Sequence, residues 1–147
     1  MNTSSTIVET TLRVRYAETD AMGIVHHANY LVWFEVGRDE YYCQTGVGYD
    51  EVEERGYLFP LSEAYARYAA PARYGEKVLI RTRIKACHSR SVTFAYEVLS
   101  QTTGEPLAIG WTKHLCVDRR GRVQRIPDFL RQAWKRCDPP SNPEPPR

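Results

Sequence analysis

The sequence predicts an α+β domain: an antiparallel sheet of about five strands curled around one long central helix. Three observations predict it. A helix-length segment at residues 29–45 is rich in large apolar residues. Four strand-like segments follow it, most of them joined by short turns. Short turns force neighbouring strands to run antiparallel. A sheet with one apolar face and a helix apolar on several sides bury each other when the sheet wraps the helix.

The elements follow in order. Residues 8–16 alternate, with Leu12, Val14 and Tyr16 on one side and Thr11, Arg13 and Arg15 on the other. This is the period of a half-buried strand. A loop at 17–28 follows. The helix carries Tyr30, Leu31, Trp33, Phe34, Val36 and Tyr41, and Gly46 is placed to end it. Gly37 inside it costs about 1 kcal/mol against alanine, which points to close contact with a neighbouring backbone. Residues 49–55 read as a short exposed helix ending at Gly56. Residues 58–69 form a strand between Pro60, near its start, and Pro71 beyond it.

In residues 77–87, Val78, Ile80, Thr82 and Ile84 alternate with Lys77, Arg81, Arg83 and Lys85, and 91–100 alternate likewise with Val92, Phe94, Tyr96 and Val98 on one face. Thr103 and Gly104 make a turn. Residues 106–117 place Leu107, Ile109, Trp111, Leu115 and Val117 on one face. Asp118 to Gly121 signals another hairpin, with a short strand at 122–126. Pro127 opens a last helix at 128–136. The stretch 138–147 holds five of the nine prolines and is expected to be a disordered tail after a single domain at 1–137.

Composition bounds the function. Twenty basic against eighteen acidic residues give a net charge of +2, too little to argue for a nucleic-acid partner. No apolar run is long enough to span a membrane. The first residues lack the basic start and apolar core of a secretion signal. Cys43, Cys87, Cys116 and Cys137 are scattered, without metal-ligand or redox spacing. The expectation is a cytoplasmic protein with reduced thiols, the first three as small core residues.

The chemistry gathers between strand and helix, from Tyr16 to Arg38. Asp20 lies in a loop seven residues before His27, at the mouth of the helix. A helix start offers unpaired N–H groups and a positive dipole end, which can polarise a carbonyl. A carboxylate beside it can attack that carbonyl or activate water. Thioesters suit this arrangement, because their carbonyl is electrophilic and the thiolate leaves easily. The ordinary role of a loop Asp is to bind local N–H groups in a turn. For His26 and His27 the ordinary role is a cap or structural hydrogen bond, and at most one is expected to face a substrate. Zinc is not expected, since no third ligand has natural spacing to the pair. Glu35 and Arg38, three apart on the helix, are expected to pair. No Gly-rich phosphate loop and no Gly-x-Ser-x-Gly elbow occurs.

The pattern Asp20-x-x-Gly23-Ile-Val-x-His27-x-Asn29-Tyr30, with Phe34-Glu35-x-x-Arg38, resembles the 4-hydroxybenzoyl-CoA thioesterase family of hotdog-fold proteins. It resembles most its bacterial acyl-CoA thioesterase branch, over residues 8–135. The resemblance implies an acyl-CoA thioesterase with Asp20 as nucleophile or general base. It implies that the His27 backbone N–H meets the thioester oxygen, that its side chain assists, and that Tyr16 belongs to the site. It also implies that Arg90 and Ser91 contact the CoA phosphates. By the same resemblance the site is built between two subunits of a dimer or tetramer, CoA is part of the substrate, and no cofactor is needed. His26-His27 replaces an aromatic pair of the benzoyl enzyme, which leaves the acyl group open. The alternatives are a hotdog dehydratase or hydratase, whose His-plus-acid pairing this loop does not match, and a non-catalytic acyl-thioester binder.

Overall fold

In the computed structural model, residues 6–137 are described. They run β1 (Val8–Arg13), α1 (Asn29–Gln44), α2 (Tyr49–Glu54), β2 (Leu61–Tyr68), β3 (Lys77–Cys87), β4 (Ser91–Ser100), β5 (Pro106–Leu115) and α3 (Asp128–Cys137). The five strands form one antiparallel sheet in the order β1-β3-β4-β5-β2. The strands on either side of α1 in sequence therefore lie at opposite edges of the sheet. This is the α+β hotdog arrangement that the resemblance implies.

The inner face of the sheet carries Val78, Ile80, Thr82, Phe94, Tyr96 and Val98, all buried. Against it α1 buries Tyr30, Trp33, Phe34, Gly37, Tyr41 and Tyr42. The rings of Phe34 and Tyr96 stack at 4.4 Å with an interplanar angle of 4°. One end of the core is closed by α3, whose Trp134 ring packs at a steep angle on Tyr42, Phe59 and Phe94. Burying one such ring is worth roughly 1.5–3 kcal/mol, so this aromatic cluster sets the position of α1. Leu31, Val32 and Val36 keep 40%, 45% and 37% of their surface, so one stripe of the helix stays uncovered in the single chain.

Gly37 answers its expected purpose with different partners. A Cβ there would meet Thr82 Oγ1 and lie 2.8 Å from Ile80 Cγ2. The close neighbours are β3 side chains rather than backbone. Gly46, at φ +98°, ends the helix as expected.

Several expectations are corrected. In β5 the period is right and the phase is wrong past Leu107, which is buried as expected, as is Val117 beyond the strand. Between them Ala108, Gly110, Thr112 and His114 are the buried set, while Ile109 is 40% exposed. The inner position opposite Tyr96 is Gly110, where a Cβ would lie 2.6 Å from Phe34 Cε2, so the helix demands a small residue there. Thr112 and His114 are admitted because they are bonded. Tyr96 Oη and Thr112 Oγ1 lie 2.6 Å apart, and His114 Nε2 is 2.9 Å from Thr112 Oγ1. His114 Nδ1 reaches the Phe59 carbonyl at 3.0 Å. Burial, then the nearby Arg38 charge, depress the His114 pKa to about 4.

No ion pair joins Glu35 to Arg38 among the described residues; the Arg38 guanidinium instead donates to Tyr96 Oη at 3.0 Å, a bond the inward turn of its side chain permits. At 122–126 there is no strand, only an isolated bridge between Val117 and Val123. β1 stops at Arg13 because the chain turns into a single 3-10 turn at Tyr16–Glu18. Cys43 is exposed, on the outer side of α1, whereas Cys116 is buried and Cys87 half-buried. The expected tail at 138–147 lies outside the described residues. Among those residues no helix is long and apolar enough to cross a membrane.

Candidate active site

Past β1 the chain makes its 3-10 turn and then a tight loop. Thr19 and Val25 bridge one another, and Ile24 bridges Arg73. At the tip the Asp20 N–H donates to the Ile24 carbonyl, and the Asp20 carbonyl accepts from Gly23 N–H, both at 2.9 Å. Gly23 has φ +78°, a conformation in which a side chain would be strained. Asp20 Oδ1 accepts the Met22 N–H at 2.8 Å. The ordinary turn role of a loop Asp is thus fulfilled, by one oxygen. No bond engages Oδ2 among the described residues.

Asp20 lies between two cavities. One, of about 400 Å³, is lined by Asp20, Met22, Ile24, Val25, His27, Tyr30, Tyr68, Ala69, Ala70 and Pro71. The other, about 610 Å³, is bounded by Tyr16, Ala17, Thr19, Asp20, Ala21, Gly23 and Tyr74. Asp20 and His27 therefore share a largely apolar recess. Tyr16 is on the other side of the loop, 76% exposed, with its ring edge-on to Tyr74 at 5.7 Å. Its carbonyl accepts the Thr19 N–H and hydroxyl, so it shapes the loop through its backbone.

The start of α1 is tightly wound. Asn29 N–H donates to the His26 carbonyl, Tyr30 N–H to that of His27, and Leu31 N–H to that of Ala28. Ala28 N–H is met by His26 Nδ1 at 3.2 Å. Among the described residues the His27 N–H donates to no protein acceptor. Both histidines precede the first helical residue, and their rings stack at 4.2 Å. The two rings can lie side by side because the helix has not yet begun; His27 lines the cavity that Asp20 also lines, and His26 does not. Tyr68 Oη donates to the His27 carbonyl at 3.1 Å and ties β2 to the helix mouth.

Sequence reading missed Glu18. It is 3% exposed. Its Oε1 accepts the Arg15 N–H at 2.8 Å, and its Oε2 accepts Trp33 Nε1–H at 3.0 Å and an Arg15 guanidinium N–H at 3.3 Å. Burial works to raise its pKa, but the Arg15 amide, Trp33 and the Arg15 charge outweigh it, and the pKa is lowered. Its place directly ahead of Thr19-Asp20 was the available signal.

The sequence profile of the thioesterase-like superfamily matches residues 14–134. The chain belongs to that superfamily. The family resemblance read from the Asp20–Arg38 pattern is thereby borne out. Over 108 residues the chain is 39% identical to a Bacillus subtilis (strain 168) protein named "Putative acyl-CoA thioesterase YneP", covering 74% of this chain and 78% of that one. A hypothetical protein from Thermus thermophilus superposes with a TM-score of 0.83 at 42% identity, over 88% of this chain and 98% of its own. A DHNA-CoA thioesterase from Staphylococcus aureus superposes with a TM-score of 0.83 at 28% identity, over 88% and 89%.

Arg90 and Ser91 are not beside Asp20 in this chain. Arg90 is exposed in the β3–β4 turn, its guanidinium 3.4 Å from Ser89 Oγ, and Ser91, 8% exposed, opens β4. The loop that carries Asp20 packs near the start of β3, where Val14 N–H donates to the Glu76 carbonyl and Val25 N–H to that of Ala72. β3 has 11 residues, so at about 3.3 Å per residue the two places are roughly 30 Å apart along the sheet. Among the described residues no group of three or more His, Cys, Asp or Glu is placed to hold a metal.

Proposed function

We propose that the protein hydrolyses the thioester of an acyl-CoA to the free acid and CoA at the Asp20–His27 recess. The observation that carries this reading is the undonated His27 amide beside the cavity that Asp20 and His27 line together. With the thioester oxygen on that amide, negative charge developing on the oxygen meets an N–H already in place. Asp20 has two balanced routes. As nucleophile it attacks the carbonyl carbon, the C–S bond breaks, the thiolate is protonated by water, and a second water cleaves the mixed anhydride. As general base it takes a proton from the attacking water, and the departing thiolate is then protonated. The names of the relatives support the CoA thioester as the substrate class. A panel of acyl-CoAs of different lengths, aromatic ones included, followed by thiol release, tests the reading; no release from any of them would reject it.

The reading includes a second copy of the chain. β2 is an edge strand exposed along almost its whole length, with Leu61, Tyr65 and Tyr68 at 55%, 45% and 47%. An edge with unpaired backbone groups invites pairing. Antiparallel pairing of two β2 strands about a two-fold axis sets the Tyr68 end of one copy beside the Leu61 end of the other. Leu61 pairs with His114, next to the Leu115–Ser91 pair, so that end carries Arg90 and Ser91. A β2–β2 dimer thus directs the phosphate-binding pair of one copy toward the Asp20 loop of its partner. Two results are expected. Arg90→Ala raises KM for acyl-CoA about tenfold or more, from loss of a charge-assisted bond worth roughly 1.5–3 kcal/mol. It leaves hydrolysis of a short thioester without the nucleotide nearly unchanged, and equal effects on both would remove Arg90 from the phosphate site. In a dilution series followed by light scattering, activity per chain falls as the dimer dissociates; an active monomer would contradict the shared site.

A further inference from the structure

We infer that Glu18 is the positioning residue that sets Asp20 against the His27 amide. The inference rests on the hydrolase reading above and goes further into the same site. Glu18 grips three parts of the chain at once. Its carboxylate holds the end of the β1 segment through the Arg15 N–H and the first turns of α1 through Trp33 Nε1–H. Its carbonyl accepts His26 N–H at 2.8 Å and Asn29 Nδ2–H at 2.9 Å, two groups on either side of His27 at the helix mouth. Two residues further on is Asp20. The loop that presents the carboxylate and the turn that presents the amide are therefore both hung from this one residue.

The bonds that count are the buried ones. The Arg15 guanidinium is 72% exposed, so its ion pair with Glu18 is a minor partner. The Trp33 ring is 1% exposed, and its N–H has Glu18 as its acceptor. Removing the carboxylate strands the Trp33 and Arg15 N–H donors and frees the 3-10 turn to relax, and a displacement of about 1 Å at a reacting group can cost on the order of 10² in rate.

Glu18→Gln keeps the shape but sets an NH₂ against one of the two donors. In the full-length protein, with an acyl-CoA that the wild type hydrolyses and below the melting temperature, kcat should fall on the order of tenfold to a hundredfold while KM stays within about twofold. Trp33→Phe removes one donor and should lower kcat less. The double variant should recover part of the kcat that Glu18→Gln lost, since the NH₂ then faces a ring instead of a donor. A purely structural role moves stability and leaves the activity of folded molecules alone. Wild-type kcat in folded Glu18→Gln, or a loss matching the unfolded fraction, overturns the inference. Should Glu18→Gln not fold, Trp33→Phe decides: a several-fold lower kcat at unchanged KM supports it, and wild-type kcat refutes it. An inactive wild type would reject the hydrolase reading, whereas an active wild type with an equally active Glu18→Gln removes only this inference.

Discussion

Asp20→Asn should lower kcat on a good acyl-CoA by about a thousandfold, with KM little changed and folding intact. The geometry says why the variant is clean. Asp20 Oδ1 accepts the Met22 N–H, and an asparagine oxygen can do the same. The turn closed by Gly23, with its bonds to Ile24 and Gly23, uses only the backbone of residue 20. What is lost is the anionic oxygen that the turn does not use, the one the proposed mechanism takes as nucleophile or as base. Thiol release gives the rate and circular dichroism the fold. Full turnover in the variant would mean that the carboxylate only closes the loop.

Gly37→Val should destabilise the fold by about 3 kcal/mol, near the upper end for overpacking, and lower Tm by roughly 6–12 °C. Any Cβ at this position meets Thr82 Oγ1 and comes within 2.8 Å of Ile80 Cγ2, and both side chains are fully buried in β3. Helix and sheet cannot separate locally, since Phe34 is locked on Tyr96 one turn away. Gly37→Ala should cost less, because helix propensity returns about 1 kcal/mol. Thr82 supplies an internal control. Among the described residues its buried hydroxyl has no hydrogen-bond partner, so Thr82→Ala removes both the obstacle and an unmet polar group. The pair Gly37→Ala with Thr82→Ala should melt higher than Gly37→Ala alone. Strictly additive effects would show that the two residues do not compete for the same space.

The fold was legible where local pattern and packing agree. The extent of α1, its stop at Gly46, the alternation of β3 and β4 and the loop around Asp20 all follow from short-range periodicity and turn chemistry. The phase of β5 did not. Ile109, Trp111 and Leu115 are the more apolar set, yet the ring of Phe34 needs the absent side chain of Gly110, and the polar Thr112 and His114 are acceptable only because Tyr96 and Phe59 reach them. Such partners are distant in sequence, so a residue-by-residue reading cannot weigh them. Arg38 is a similar case: a neighbour on the helix was the local prediction, and Tyr96 on the sheet is the partner.

At the site, Asp20 and His27 were legible because seven residues of loop bring acid and helix mouth together within one segment. Glu18 was hidden because its meaning depends on Trp33, fifteen residues away on the buried side of α1. Arg90 and Ser91 entered only through the family resemblance, since in the single chain they lie at the far end of β3 from the Asp20 loop.

In the proposed mechanism the thioester oxygen rests on the His27 amide while the side chain of residue 20 faces the carbonyl carbon. The most direct measurement is a crystal structure of the Asp20→Asn variant bound to an intact acyl-CoA that the wild type hydrolyses. The expected separation between the thioester oxygen and His27 N is about 2.7–3.1 Å, with the substituted side chain at position 20 against the carbonyl carbon. An acyl-CoA whose carbonyl lies beyond hydrogen-bond reach of that amide, with residue 20 turned away from it, would contradict the account.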